Sequence, residues 1–220
     1  MNRYKTTFET WNKIASLYEE VFMDIELYND TYSFFCKQVN KKKPSILEIG
    51  CGPGNITKHI LSKIPDCSIL GIDIAPNMVK LAQKNNPAAD FKVMDGRKIN
   101  TIQSKFDGII SGFYLPYLSK SYRFNFIKDC ERLLNNNGIL YISFVEGDQN
   151  NSGYQTGSTG HKVYFHYHNL NNLKKELTDH HFSILKIIHK QYPKKDETTE
   201  IHTIVIAKQI RKQRIEILIF

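Results

Sequence analysis

Residues 46–55 read Ile46-Leu47-Glu48-Ile49-Gly50-Cys51-Gly52-Pro53-Gly54-Asn55. An apolar strand here includes an acidic residue near its end and runs directly into three glycines spaced Gly-x-Gly-x-Gly. Glycine is needed where a backbone turns sharply and a ligand approaches it closely, because no Cβ stands in the way. A second apolar segment ends in Asp73, an acid in the position that accepts ribose hydroxyls. Together these features predict a strand–turn–helix unit that binds a nucleoside.

Strands and helices alternate along the chain outward from this unit. Such alternation indicates an α/β fold with a mainly parallel, doubly wound sheet and helices on both faces. The last two predicted strands are close in sequence, which favours an antiparallel pair at the sheet edge. The predicted strands span residues 45–49, 68–73, 90–94, 106–111, 139–145, 182–191 and 199–207. We expect a helical cover over 1–43, a ligand-binding domain over 44–209 and a tail over 210–220.

Composition and charge limit the class of protein. The 220-residue chain carries a net charge of +8, but its lysines are scattered over several predicted elements. No stripe of arginines and aromatic residues marks a groove for nucleic acid. No apolar run is long enough to cross a bilayer, and the first residues do not resemble a signal peptide. The four cysteines lack any metal-ligand spacing, so we expect reduced thiols in a cytoplasmic protein without a metal.

The residues around the glycine turn discriminate between nucleoside ligands. A dinucleotide site prefers a third glycine at the sixth position of G-x-G-x-x-G, and Asn55 occupies that position. Glu48, two residues before the first glycine, would repel a pyrophosphate and would suit an amino group or a cation. The sequence therefore favours a nucleoside joined to a cationic or zwitterionic group, and a dehydrogenase is a distant alternative.

The polar strand ends resemble the motifs of class I S-adenosylmethionine-dependent methyltransferases. The resemblance extends over about residues 45–145, and it implies a Rossmann-like seven-stranded sheet with one antiparallel strand near the edge. Asn12, Ala15 and Tyr18 also resemble the helical cover of members that act on small molecules. The segments that carry the resemblance are 48–54, 71–78, 93–96, 106–111 and 133–140.

The resemblance implies a set of cofactor-binding residues. Glu48, Gly50 and Gly52 would surround the methionine part of S-adenosylmethionine, Asp73 would hold the ribose hydroxyls, and Asp95 would accept the adenine amino group. The others would pack near the adenine, line the floor beside the sulfonium, or close the site from above. The full set is Tyr18, Glu48, Gly50, Gly52, Asp73, Ile74, Met78, Asp95, Gly96, Ser111 and Phe113.

The sequence indicates less about the methyl acceptor than about the cofactor. Residues 111–114 lack the (Asp/Asn)-Pro-Pro-(Tyr/Phe) motif of enzymes that methylate amino groups of DNA bases. We therefore expect a small-molecule acceptor with oxygen or nitrogen as the nucleophile. No catalytic dyad is evident, and Tyr114, His161 and His166 are weak candidates for a base or a substrate contact. The histidines of segment 161–168 could also suggest a metal, but an aromatic pocket wall is the simpler interpretation. An RNA methyltransferase and a non-catalytic cofactor-binding protein remain open.

Overall fold

The computed structural model describes residues 3–157, 160–194 and 198–210. A seven-stranded sheet with the order β3-β2-β1-β4-β5-β9-β8 forms its centre, and β6 and β7 form a separate two-stranded ribbon. The strands are β1 (Ser45–Ile49), β2 (Ser68–Asp73), β3 (Asp90–Val93), β4 (Phe106–Ser111), β5 (Leu134–Val145), β6 (Gly153–Thr156), β7 (Lys162–Phe165), β8 (Phe182–Pro193) and β9 (Thr199–Gln209). The helices are α1 (Arg3–Lys13), α2 (Ala15–Phe22), α3 (Asn29–Gln38), α4 (Asn55–Lys63), α5 (Pro76–Asn85), α6 (Lys120–Leu133) and α7 (Leu170–Asp179).

The sheet topology confirms the predicted fold class. Strand β9 is antiparallel to both β5 and β8, whereas β1 to β5 are mutually parallel. Strand β1 lies between β2 and β4, so the strand order reverses beside it. In open sheets of this kind, ligands bind beyond the carboxyl ends of the strands at such a reversal. The glycine turn that follows β1 lies at this point.

The two faces of the sheet carry separate apolar cores. Alternate residues of a strand point to opposite faces, so Leu47 and Ile49 pack on the side of α6 and α7, whereas Ile46 packs on the side of α3 and α4. All three side chains are fully buried. Burial of each such side chain contributes about 1.5–3 kcal/mol. The first strand is thereby held on both faces, which fixes the position of the turn that follows it.

Several predicted boundaries differ from the structure. The apolar spacing over residues 8–22 predicts one helix, but the helix breaks at Ile14, where φ is −98° and ψ is 17°, and continues as α2. A second helix is predicted over about residues 26–39, and the structure has it over Asn29–Gln38. Strand β5 already begins at Leu134, because the asparagine-rich segment that follows pairs irregularly beside β4, with Asn137 at a φ of 63°. The asparagines therefore make β5 irregular, and they do not move its beginning to a later residue.

The segment 146–160 is rich in Gly, Ser, Asn and Gln, which predicts a loop, and this prediction is wrong in part. It contains β6, which pairs with β7 to form a ribbon that packs against α1. The Thr10 hydroxyl donates to the carbonyl of Lys162 at 2.8 Å, and the amide of Tyr164 donates to the Thr7 hydroxyl at 3.0 Å. Polar residues dominate the segment because the ribbon is only half covered. Of the predicted tail, residues 211–220 lie outside the described residues, and no described helix is long and apolar enough to span a membrane.

Candidate functional site

A cleft lies over the carboxyl ends of β1 to β4, beneath α1 and α2. Its empty space, including the part open to solvent, is about 890 Å³, within the range of small-molecule sites. The predicted residues that line it are Tyr18, Gly50, Gly52, Asp73, Ile74, Met78, Asp95, Gly96, Phe113 and Tyr114. Tyr117, which follows β4 beside Tyr114 and is a further sequence candidate for the acceptor pocket, also lines it, whereas sequence reasoning missed Tyr4, Thr7, Phe8, Trp11 and Arg97. The apolar spacing of the first helices signalled a buried face, but not that this face covers a cleft.

The glycine turn forms the base of the cleft. Gly50, Gly52 and Gly54 have φ values of 73°, 52° and 87°, a region that favours glycine. The amides of Gly50 and Cys51 both donate to the carbonyl of Ile72, at 2.8 and 3.0 Å. A Cβ on Gly52 would have only Tyr18 nearby, at 3.7 Å. Hydrogen bonds to β2 therefore hold the turn on the side of the sheet, whereas the side that faces the cleft has room for a ligand.

Asp73 ends β2 and joins that strand to the glycine turn. Its Oδ2 accepts from the amide of Gly52 at 3.0 Å, and its Oδ1 accepts from the amide of Ala75 at 2.8 Å. Burial raises the pKa of the carboxyl, and these backbone hydrogen bonds oppose that rise. Each oxygen retains a lone pair, so the oriented carboxylate can accept two further hydroxyl hydrogen bonds.

Glu48 and Ser111 lie behind the cleft wall rather than in it. Both side chains are fully buried, and the Thr57 hydroxyl donates to Glu48 Oε2. Among the described residues, neither Glu48 Oε1 nor Ser111 Oγ has a hydrogen-bond partner. Burial raises the pKa of Glu48 to about 8, the Thr57 bond opposes this, and Asp73 adds to it. A buried oxygen without a partner is costly, so its presence beside the glycine turn fits a site for an ammonium group or an ordered water.

Asp95 follows β3 and is already engaged by the chain. Its Oδ1 accepts from the amide of Arg97 at 2.9 Å, and the Arg97 guanidinium bonds both oxygens, with Nη2 at 2.6 Å from Oδ2. Burial acts to raise the pKa of Asp95, but the bonds and charge of Arg97 hold it below its usual value. The guanidinium carbon lies 4.2 Å from the Tyr4 ring centroid, which ties α1 to this end of the cleft.

Aromatic rings form the opposite end of the cleft. The rings of Trp11 and Tyr18 meet at 86° with centroids 5.5 Å apart, and those of Trp11 and Tyr117 meet at 72° and 5.8 Å. Phe113 has a φ of 53°, and its amide donates to Ser143 Oγ at 2.8 Å. Tyr114 extends between the two ends, with its Cβ 3.3 Å from where a Cβ on Gly50 would stand and its hydroxyl 2.6 Å from where one on Gly96 would stand. Edge-to-face walls of this kind suit a flat or apolar group.

The structure places neither His161 nor His166 at the cleft wall. His161 lies in the turn between β6 and β7, where its carbonyl accepts from the amide of Gly157. The amide of His166 donates to the carbonyl of Pro116 at 2.7 Å, and burial, with Arg3 and Arg123, lowers the pKa of its ring to about 4. Tyr114 lines the cleft as predicted. Neither histidine is among the lining residues, because the β6–β7 ribbon that carries them packs against α1, a placement that the sequence pattern did not show.

His168 belongs to a buried network rather than to a metal site. The fully buried Arg123 donates to both carboxylate oxygens of Glu176 and contacts His168 Nδ1 at 2.6 Å. His168 Nε2 lies 2.8 Å from the carbonyl of Leu115 and must donate to it. Nδ1 is therefore the acceptor for Arg123. The network joins α6, α7 and the segment after β4 that lines the cleft.

The glycine turn, the strand-end carboxylate and this sheet order define the class I methyltransferase fold. The model of the family described as "Methyltransferase domain" matches residues 46–138. Over this part of its length the chain is similar to methyltransferases.

Individual relatives share this domain at moderate similarity. A protein of Invertebrate iridescent virus 6, named as methyltransferase 235L, is 33% identical over 62% of this chain and 49% of its own length. Malonyl-[acyl-carrier protein] O-methyltransferase 1 of Ilyobacter polytropus is 31% identical over 74% of this chain and 52% of its own. The chain thus spans about half the length of these two curated relatives.

One solved structure shows how far the fold extends along the chain. The magnesium protoporphyrin IX methyltransferase of Synechocystis PCC 6803, solved with S-adenosylhomocysteine bound, superposes with a TM-score of 0.72 at 14% identity. The match covers 94% of this chain and 100% of that one. The similarity of fold therefore includes the helical cover as well as the sheet.

Proposed function

We propose that this protein transfers a methyl group from S-adenosylmethionine to an oxygen or nitrogen of a small molecule. The observation that carries the proposal is the pairing of an open glycine turn with the oriented carboxylate of Asp73. S-adenosylmethionine supplies an activated methyl group, so the protein needs chiefly to orient the reactants and exclude water. We retain the division into a helical cover (1–43), a cofactor-binding domain (44–209) and a tail (210–220) as part of this proposal.

The residues present fit the cofactor in four places. Asp73 has lone pairs left for two ribose hydroxyls, and the space over Gly52 is open to the methionine chain. The buried Oε1 of Glu48 has no hydrogen-bond partner among the described residues. The ammonium group of the cofactor could donate to this oxygen, either directly or through a water molecule. Gly96 lies at the opposite end of the cleft, where a backbone amide can meet the adenine edge.

The cover over the cleft supports a small acceptor. Trp11, Tyr18 and Tyr117 enclose the end of the cleft that leads away from Asp95. Helix α1 is tied to α5 through Asn12, whose side chain accepts from the amide of Asn77 at 2.9 Å. A cover fixed on two sides leaves room for a small molecule and excludes bulk water from the reacting atoms.

Ligand-dependent thermal stability tests the proposal. We expect S-adenosylhomocysteine to raise the melting temperature and a nicotinamide dinucleotide to leave it unchanged, because a ligand that binds only the folded state stabilises it. Incubation with S-adenosylmethionine labelled at its methyl group should then release label into small molecules from a metabolite extract. Tight cofactor binding with no transfer to any extract would favour a non-catalytic binding protein. Transfer to RNA alone would favour an RNA methyltransferase.

A further inference from the structure

The end of the cleft that leads away from Asp95 is built from aromatic side chains. Trp11 of α1 and Tyr18 of α2 line it from the helical cover, and Phe113 and Tyr117 line it from the segment after β4. These four residues are called the aromatic pocket below. Cε1 of Tyr18 lies 3.7 Å from where a Cβ on Gly52 would stand, so the pocket adjoins the space over the glycine turn. A molecule in the aromatic pocket would therefore lie beside the methionine part of the cofactor.

Phe113 gives this pocket one fixed wall. Its φ of 53° is a left-handed value that a phenylalanine rarely adopts, and its amide donates to Ser143 Oγ at 2.8 Å. The buried rings of Tyr28 and His202 pack against the Phe113 ring, with centroids at 5.1 and 4.7 Å. Strained backbone persists where the surrounding structure determines it, and it is concentrated at ligand sites. The ring is thus held in position before a ligand enters.

Trp11 belongs to the wall that the helical cover contributes, and its neighbours in α1 fix that helix. The Asn12 side chain accepts from the amide of Asn77 at 2.9 Å, and the Asn77 side chain donates to the carbonyl of Asn12 at 2.8 Å. The Thr10 hydroxyl donates to the carbonyl of Lys162 at 2.8 Å. These bonds join α1 to α5 and to the β6–β7 ribbon. A ligand would therefore meet aromatic surfaces that are already ordered, which reduces the entropy lost on binding.

The charges of the cleft disfavour an ionised methyl acceptor. Its described lining contains the carboxylates of Asp73 and Asp95 and one cationic side chain, Arg97. That guanidinium binds Asp95 in a bidentate contact, so it is not available to the carboxylate of an acceptor. A cationic acceptor would be repelled by the sulfonium of S-adenosylmethionine, and this repulsion is strong where water is excluded. A neutral acceptor avoids both costs.

Two phenol hydroxyls are the polar side-chain groups of the aromatic pocket besides the indole N–H. Burial raises the pKa of Tyr18 to about 12 and also raises the pKa of Tyr117. Both hydroxyls are therefore protonated at neutral pH, and each can donate one hydrogen bond and accept others. Such groups can orient a hydroxyl or a ring nitrogen, but they carry no charge to balance an ion.

We propose that the aromatic pocket binds a neutral, planar aromatic acceptor, with its ring against Phe113, Trp11 and Tyr117 and its hydroxyl or nitrogen towards the cofactor. Ring faces and edges of the pocket suit such a molecule, because aromatic pairs gain from stacked and edge-to-face contact beyond the area they bury. Aliphatic amines are protonated at neutral pH and carboxylic acids are ionised, so both are disfavoured. This inference rests on the proposed methyltransferase function and names its substrate class.

Trp11 allows a direct binding test, because it is the single tryptophan of the chain and lines the pocket. The protein is first saturated with sinefungin, a cofactor analogue that keeps the positive charge without a transferable methyl group. Four probes of similar shape are then titrated: naphthol, naphthoate, naphthyltrimethylammonium and decahydronaphthol, which has the hydroxyl but no aromatic ring. We expect naphthol to change the Trp11 emission and to bind roughly tenfold more tightly by calorimetry than each of the others. Equal or tighter binding of any other probe would overturn the inference.

Tyr117→Leu tests the pocket itself and leaves the Trp11 reporter in place. Tyr154→Leu is the matched control, because Tyr154 is 44% exposed on β6 and lies outside the cleft lining. Tyr117→Leu should weaken naphthol binding roughly tenfold, through loss of ring contact, and leave the Kd for S-adenosylhomocysteine unchanged. The unchanged Kd also shows that the variant is folded. If naphthol binds both variants equally, the aromatic pocket is not its site.

A transfer assay separates this inference from the proposed function. With methyl-labelled S-adenosylmethionine, we expect labelled products from the neutral aromatic members of a library of phenols, anilines, alcohols, aliphatic amines and carboxylic acids. Transfer to aliphatic or carboxylic members alone would overturn the inference and leave the methyltransferase function standing. Transfer to no class despite normal cofactor binding would overturn the proposed function and this inference with it.

Discussion

The amide of Gly52 donates a 3.0 Å hydrogen bond to Oδ2 of Asp73. This bond joins the turn after β1 to the end of β2, so the two halves of the cofactor site are positioned by each other. Backbone donors opposite both carboxylate oxygens restrict rotation of the side chain. An oriented carboxylate loses less entropy when it receives a ligand hydroxyl.

Asp73→Ala should therefore abolish the rise in melting temperature that S-adenosylhomocysteine produces. The change removes two hydroxyl acceptors from the ligand and releases the amide of Gly52. Loss of about 1–3 kcal/mol for such contacts predicts a Kd roughly 5- to 150-fold weaker by calorimetry. Asp90→Ala is the control, because Asp90 is exposed at the opposite end of the neighbouring strand. Equal ligand effects in both variants would contradict this role for Asp73.

Cofactor affinity should rise with pH through the range below 8. Burial raises the pKa of Glu48 to about 8, so the carboxyl is protonated in the unliganded protein at neutral pH. An ammonium group favours the ionised form, so binding releases a proton and the affinity increases by at most about tenfold per pH unit. Calorimetry in buffers of different ionisation enthalpy measures that proton. Glu48→Gln should remove both effects, and an unchanged pH slope in the variant would exclude Glu48 as their source.

Gly96→Ala should weaken cofactor binding by displacing Tyr114. A Cβ at residue 96 would lie 2.6 Å from Tyr114 Oη and 2.7 Å from Cζ, so the ring must shift within the cleft. Combining Gly96→Ala with Tyr114→Ala should recover part of the lost affinity, because the contact is then absent. Gly153→Ala provides the control, since a Cβ there meets no atom within 4 Å. If the double variant binds no better than Gly96→Ala alone, the Tyr114 contact is not the cause.

Stability should fall as the pH decreases from 6.5 towards 4. Burial lowers the pKa values of both His166 and His168 to about 4, so the folded protein keeps these rings neutral while the unfolded chain binds protons. Stability then rises with pH in this window. In His168→Gln, an amide replaces the ring between Arg123 and the carbonyl of Leu115, and the difference between pH 5 and pH 7.5 in urea unfolding should shrink. The exposed His189→Gln should keep the wild-type difference.

Local patterns in the sequence were sufficient to predict most of the fold and the cofactor end of the site. These patterns are the glycines, the strand-end acids and the alternation of apolar residues. Each extends over only a few residues, so it can be recognised without knowing which distant residues become neighbours. The seven-stranded sheet with β9 antiparallel follows from these patterns and is confirmed. Even the Asp95–Arg97 pair, two residues apart, could have been anticipated from local spacing.

The aromatic end of the cleft depended on contacts between residues that are far apart in the chain. Sequence reasoning favoured His161 and His166 as candidates because they cluster in one segment, but the β6–β7 ribbon carries them away from the cleft wall. The hydrogen bond between Tyr28 and His202 spans 174 residues. No periodicity can show such a contact, because it exists only when β9 inserts between β5 and β8.

The sequence alone determined that this chain forms a doubly wound sheet with a nucleoside-binding turn. That conclusion rests on backbone geometry, since positive φ values at Gly50 and Gly52 and the strand-end position of Asp73 are dictated locally. Only the tertiary structure decided which side chains enclose the cleft and that the His202 ring packs behind Phe113. These positions depend on which helices and strands become neighbours, because burial and hydrogen bonding across the sheet arise only between neighbouring elements.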